Sequence, residues 1–224
     1  MSGPYLVLVV DCATPAVTAA LARIGAGTEI VAERITVDAK AHGERLAPQI
    51  DDVLAEAGAK PADLTAVVAG VGPGPFTGLR VGLVTAEAFR HSLGIPAYGV
   101  CSLDALGYGR LGRVLVATDA RRKEIYWACY SGGTRIEGPN VDRPDVVAAE
   151  ARRLGVERAV GDGALRYADV LALPVAEEPR YPSAAALAQL AAPRIRSQAQ
   201  GEPLTPLYLR RPDAVEPTTR KSVL

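Results

Sequence analysis

Twice in this chain an apolar strand runs into an aspartate and the sequence turns straight back. Tyr5-Leu6-Val7-Leu8-Val9-Val10 leads to Asp11, the turn Cys12-Ala13-Thr14-Pro15 and a returning strand from Ala16 to Leu21. In the second half, Val114-Leu115-Val116-Ala117-Thr118 leads to Asp119, the turn Ala120-Arg121-Arg122-Lys123 and an aromatic-rich strand ending at Tyr130. A strand–Asp–turn–strand unit opening each half predicts a duplicated α/β fold. Its two lobes are expected over residues 1–100 and 101–224.

The rest of the first half follows the same logic. A third strand is expected from Glu29 to Val37. Leu46, Ile50, Val53 and Leu54 have helical spacing and place a helix over Gly43 to Ala57, stopped by Gly58 and Pro61. A strand over Leu64 to Ala69 then enters the loop Val71-Gly72-Pro73-Gly74-Pro75-Phe76. From Thr77 a helix runs to about Leu93, followed by the strand Ala97-Tyr98-Gly99-Val100 and a helix start with Ser102 as N-cap. The second half thins to a helix over Pro144 to Leu154, a short strand at Arg158 to Gly161, and a helix opened by Pro182-Ser183 that reaches about Ala192. An extended tail spans Pro206 to Pro212, and the last dozen residues are expected to fray.

The Gly-Pro loop asks for close approach of backbone to something. A phosphate is one reading, because helix N-termini bind anions through free N–H groups. Pro73 and Pro75 remove two of those donors, and no Lys-Ser or Lys-Thr follows, so this is no P-loop. In the helix beyond, Gly78, Gly82 and Ala86 recur every four residues and share one face. That face packs either on the chain's own sheet or on another chain, and the sequence leaves both open.

Composition narrows the classes. Of 224 residues, 49% are hydrophobic, and 25 Lys+Arg balance 25 Asp+Glu, so the net charge is zero. Autonomous nucleic-acid binding normally asks for a basic domain. Arg121-Arg122-Lys123, Arg152-Arg153 and Arg210-Arg211 are read as solvated runs. Cys12, Cys101 and Cys129 are widely spaced and support neither a disulfide framework nor a thiol metal site. The apolar opening is too short for a leader or a membrane span, and a cytoplasmic protein is expected.

Candidate chemistry is sparse. Asp11 and Asp119 could hold a metal–nucleotide complex between lobes, but such hairpins need glycine after the aspartate to wrap phosphate, and neither has it. Turn capping is the simpler role for both. His42 with Glu44 could form a base and its orienter, though capping and surface chemistry suit a helix start better. Ser92 and Ser102 lack a nucleophile context, and Cys101 reads as a small buried hydrophobe.

The run Gly70-Val71-Gly72-Pro73-Gly74-Pro75-Phe76-Thr77-Gly78-Leu79-Arg80-Val81-Gly82, together with Val9-Val10-Asp11-Cys12-Ala13-Thr14, closely resembles the TsaB (YeaZ) family. Ala41-His42-Gly43-Glu44-Arg45-Leu46, Asp119 to Trp127, Tyr181-Pro182-Ser183-Ala184 and Pro206 to Arg211 fit the same family in order. Pro75 departs from it, since many members carry Ser there.

The resemblance implies an actin-like ATPase (ASKHA) fold with a degenerate second lobe. It implies a non-catalytic partner of TsaD, which transfers threonylcarbamoyl to adenosine 37 of tRNA. A small ATPase, TsaE, is implied as a further partner, and a homodimer as the state of the isolated chain. Contact with tRNA is then indirect, with no cofactor, no metal and no membrane. TsaD-like proteins carry HMEGH after the matching strand. Here the two metal-histidine positions are Ser102 and Leu106, neither of which suits a transition metal. The implied partner surface comprises His42, Leu46, Ile50, Val53, Leu54, Gly78, Leu79, Gly82 and Ala86. Asp11, Thr14 and Asp119 are implied relics of a nucleotide site. An independent actin-like ATPase or kinase, or a metallopeptidase-like enzyme, is the alternative, and direct tRNA contact through Arg121-Arg122-Lys123 is a third reading made secondary by the neutral net charge. On the first reading, Gly82→Leu should spare the fold and abolish association with TsaD.

Overall fold

The computed structural model describes residues 4–210. Strands β1 (Tyr5–Asp11), β2 (Ala16–Ile24) and β3 (Thr28–Val37) form an antiparallel meander. Helix α1 (His42–Glu56) leads to β4 (Ala66–Gly70), and α2 (Phe76–Leu93) to β5 (Ala97–Val100). β4 pairs parallel with β1 and β5 parallel with β4, giving the order β3-β2-β1-β4-β5.

After α3 (Ser102–Gly107) the plan is repeated. β6 (Arg113–Asp119), β7 (Ile125–Ser131) and β8 (Thr134–Asp142) form a second meander. Helix α4 (Pro144–Arg153) then leads to β9 (Arg158–Val160), which lies parallel to β6, in the order β8-β7-β6-β9. First, second and third strands, a helix, then a fourth strand beside the first: the two halves share one topology, that of a duplicated actin-like fold.

The apolar runs of β1 and β6 follow from cover on both faces. Leu8 and Val10 pack under α1 and α2, whereas Val7 and Val9 point to the opposite core. Leu115 and Ala117 pack toward α4, α5 (Asp162–Arg166) and α6 (Ala168–Leu171), and Val114 and Val116 pack toward the first lobe. Between the lobes lies α3, with Ala105 in one core and Leu103 and Leu106 in the next.

Two expectations are corrected and one strand was missed. Residues 101–224 do not form one lobe, because α7 (Ala184–Arg196) returns to the first sheet, where Ala184, Leu187, Ala188 and Ala191 cover Val7, Val9 and Val68. Its start is as expected, with the Ser183 hydroxyl accepting from the Ala186 amide at 3.2 Å. Ser102 is not an N-cap: Cys101 holds that position, and Ser102 is already inside the helix with its hydroxyl directed elsewhere. Strand β8 was not foreseen, since it is a largely solvent-facing edge strand without apolar alternation and carries Pro139. Arg211, Pro212 and the fraying expected of the final residues lie outside the described residues. Among the described residues no helix is long and apolar enough to cross a membrane.

Candidate functional site

The two hairpin turns face each other across an interlobe cleft of about 820 Å³. One wall carries Thr14, Lys40 and His42 with the start of α2, and the other carries Asp119, Arg121 and Tyr126. The tail residues Tyr208 and Arg210 close one end.

Asp11 ends β1 but does not line this cleft. It is 1% exposed. Its Oδ1 accepts from the Ala13 amide at 3.0 Å, the turn-capping role expected of it. Its Oδ2 accepts from the Ser102 hydroxyl at 2.5 Å, and Ser102 Oγ in turn accepts from the Gly72 amide at 3.3 Å. This buried bridge ties the first hairpin to the Gly-Pro loop and to α3. It requires Gly70, where a Cβ would sit 1.7 Å from Asp11 Oδ2 and 2.8 Å from Ser102 Oγ. Ser102 and Leu106, placed by the resemblance at metal-ligand positions, are each 1% exposed, one in the bridge and the other in the interlobe core. Among the described residues no group of three or more His, Cys, Asp or Glu side chains is placed to hold a metal ion.

Burial raises the Asp11 carboxyl to about 6, against the pull of the Ser102 hydroxyl, the Ala13 amide and His42. The native state therefore binds more protons than the unfolded chain between about pH 4 and 6, and stability falls as pH rises through that window. Asp11→Asn removes this cost. Its stability relative to the parent is expected to improve by roughly 2–3 kcal/mol between pH 4 and pH 7. Urea unfolding at the two pH values checks this, and a constant difference between the proteins would refute it. Asp162, also raised to about 6 by burial, leaves some pH dependence in the variant.

The first turn offers little to a phosphate. The amides of Ala13 and Ala16 are engaged by Asp11 and by the Thr14 hydroxyl. The Thr14 carbonyl accepts from His42 Nε2 at 2.9 Å, and Gly74 lies so close to the Ala13 carbonyl that a Cβ would approach its oxygen to 2.1 Å. The Gly-Pro loop thus approaches the chain's own first hairpin. His42 is 8% exposed, so its expected surface role is replaced by a strut between α1 and that hairpin. A nucleotide clamp built on Asp11 and this turn does not fit the residues present.

Asp119 differs from Asp11 in being partly accessible. Its Oδ1 accepts from the Arg121 amide at 3.3 Å, again capping a turn, and its Oδ2 pairs with Arg166 at 3.0 Å. Burial pushes all three cysteine thiols upward, Cys101 to about 11 and Cys129 to about 12, and none of them is an activated nucleophile.

The residues expected to meet a partner turn inward. Leu46, Ile50, Val53, Leu54, Leu79 and Ala86 belong to the core beneath α1 and α2. A Cβ on Gly78 would lie 2.8 Å from the Cys12 carbonyl oxygen, and one on Gly82 would lie 3.3 Å from Cys12 Cβ. The small-residue face therefore packs on the chain's own first hairpin. Gly82→Leu would therefore fall on a packed internal contact with Cys12, not on a free face as expected. Reasoning from periodicity missed the outward residues of α2: Phe76, Arg80 and Val84, four apart, with Val84 63% exposed. Arg80 stacks over the Phe76 ring at 4.9 Å, and Tyr208 of the tail meets the same ring at 5.2 Å between centroids.

Comparison with known proteins bears on what this arrangement does. The family model described as "TsaD: tRNA N6-adenosine threonylcarbamoyltransferase" matches residues 29–204. An uncharacterized protein of Mycobacterium tuberculosis is 51% identical over 208 residues, 93% of each chain. The tRNA threonylcarbamoyladenosine biosynthesis protein TsaB of Escherichia coli is 34% identical over 129 residues, covering 55% of this chain and 54% of the other. The solved structure of YeaZ from Pseudomonas aeruginosa superposes with a TM-score of 0.74 at 27% identity, covering 92% of this chain and all of that one.

Proposed function

Because the chain belongs to the TsaD-type family, and within it to the TsaB (YeaZ) branch named for tRNA threonylcarbamoyladenosine biosynthesis, we propose that it is the non-catalytic partner subunit of a TsaD-type transferase. It acts by presenting a docking face rather than by chemistry of its own. The observation that carries this reading is the pairing of a buried, self-satisfied Asp11–Ser102 bridge with two exposed apolar side chains on α2, Phe76 and Val84. The first leaves the former catalytic region without a free carboxylate at Asp11, and the second leaves a surface that gains from being covered.

The face comprises Phe76, Arg80 and Val84 of α2 with the solvent side of the neighbouring α1, which includes Pro48, Asp51 and Asp52. Side chains beneath it hold the two helices in place. A TsaE-type ATPase as third component, self-association of the isolated chain through the same face, and a cytoplasmic site of action belong to the same reading.

The test is threonylcarbamoylation of tRNA in a reconstituted system containing the transferase, the ATPase and the threonylcarbamoyl donor. Omitting this chain is expected to reduce modification to background, and Asp119→Asn, which removes the charge but keeps the Oδ1 acceptor of the Arg121 amide, is expected to retain it. Modification that proceeds equally without the chain would remove it from the pathway. Loss of modification in Asp119→Asn, with the complex still formed, would assign the chain a catalytic share.

A further inference from the structure

The turn between β6 and β7 is unusual in backbone and in charge. Arg121, Arg122 and Lys123 have φ of 60°, 51° and 61°, three consecutive non-glycine residues in the left-handed region. Side chains enter that region at a cost, and such strain persists only where surrounding structure imposes it, often at functional positions. Here the turn is imposed by the Arg121 amide on Asp119 Oδ1 at 3.3 Å, the Glu124 amide on the Arg121 carbonyl at 3.0 Å, and the Ala120 amide on the Glu124 carbonyl at 3.0 Å.

The carboxylates beside the turn are matched by cations from elsewhere in the chain. Asp119 pairs with Arg166, and Glu124 pairs with Arg210, whose guanidinium also donates to the Ala120 carbonyl at 2.8 Å. Arg121, Arg122 and Lys123 are themselves exposed. The rim therefore gathers five cations around Asp119, Glu124 and the half-buried Asp162, which accepts from the Asp119 amide. Arg121 and Arg210 line the cleft, with Lys40 and Glu44 on the opposite wall. A neutral net charge argues against strong stand-alone nucleic-acid binding, but it does not describe this rim.

We propose that the Arg121-Arg122-Lys123 turn is a phosphate-binding lip that holds the RNA backbone of the substrate tRNA beside the cleft. The proposal rests on the assignment to tRNA modification and adds a direct contact with the substrate. Guanidinium groups on a rigid turn suit phosphate oxygens, which they engage in paired hydrogen bonds. Contacts of this kind set position and affinity without reading sequence.

The experiment measures binding of a fluorescent tRNA transcript to the full-length chain between about 50 and 200 mM salt. The parent is compared with the triple variant Arg121→Gly, Arg122→Gly, Lys123→Gly. Glycine accepts the left-handed backbone, so the hairpin is retained, and Arg121→Gln with Lys123→Gln provides a second variant if the triple one does not fold. The expected result is a loss of affinity of about tenfold or more at low salt. The slope of log K against log salt should fall by roughly 2–3, near one per lost phosphate contact. Equal affinities and slopes would overturn the proposal. Turn-dependent binding of poly-glutamate but not of tRNA would overturn it in favour of an acidic protein. Turn-dependent binding of ATP or inorganic phosphate alone would assign the lip to a free anion. A chain that is required for modification yet binds tRNA independently of the turn would sink the lip and leave the subunit assignment standing.

Discussion

Gly70→Ala is expected to destabilise this protein by about 3–5 kcal/mol, an unusually large effect for one methyl group. The added Cβ would lie 1.7 Å from Asp11 Oδ2 and 2.8 Å from Ser102 Oγ, and neither atom has free space to retreat into, both residues being 1% exposed. Overpacking of a tight core costs about 1–3 kcal/mol. Displacing the carboxylate from its Ser102 hydroxyl, while it remains buried, adds about 1–3 kcal/mol. The mechanism has a signature. Asp11→Ala opens the space the methyl needs, so the double variant should be more stable than the sum of the single changes by about 1–3 kcal/mol. Urea unfolding of the four proteins measures this coupling. Additive losses would mean that the strain lies in the backbone of β4 rather than in the Asp11–Ser102 bridge.

Val84→Glu is expected to weaken association with the transferase by about 100-fold or more, roughly 3 kcal/mol, and to reduce modification in the reconstituted system accordingly. Val84 is exposed in the isolated chain, so the change costs the fold little and falls on the contact. There it would replace an exposed apolar side chain of the contact by a charge that has to be desolvated. Thermal stability within a degree or two of the parent, together with loss of co-elution on a sizing column, is the expected pair of results. Unchanged co-elution would move the partner surface away from α2.

The comparison of these two sites shows what could be read from the chain. The inner strands β1 and β6 were legible because cover on both faces makes them continuously apolar, and α1 and α2 because apolar residues recur at helical spacing. That same spacing marked as partner surface residues that lie in the chain's own core. Periodicity marks the side of a helix that is covered, and in this chain Leu46, Ile50, Gly82 and Ala86 are covered by the chain itself. The outward residues Phe76, Arg80 and Val84 break no local pattern and become visible only once the sheet is in place. The bridge from Asp11 to Ser102 spans 91 positions and was hidden for a related reason. A buried hydroxyl chooses a long-range partner that no local rule supplies, whereas the N-cap role expected of Ser102 is a local one. The return of α7 to the first lobe was missed because its alanine-rich face fits either sheet equally well in sequence terms.

That return has a consequence for how the protein is made. The second lobe is an insertion: the chain leaves the first sheet after β5 and comes back to it only with α7 and the tail that carries Leu204 and Leu207. A ribosome delivers β1 to β5 early but withholds the helix that roofs Val7, Val9 and Val68 until most of the chain has been translated. Domains usually fold in order of synthesis. Here the lobe begun first is completed last, and its apolar underside waits uncovered while the inserted lobe emerges and folds. Released chains truncated just before Ala184 should accordingly hold a folded second lobe beside a sticky, protease-sensitive first one.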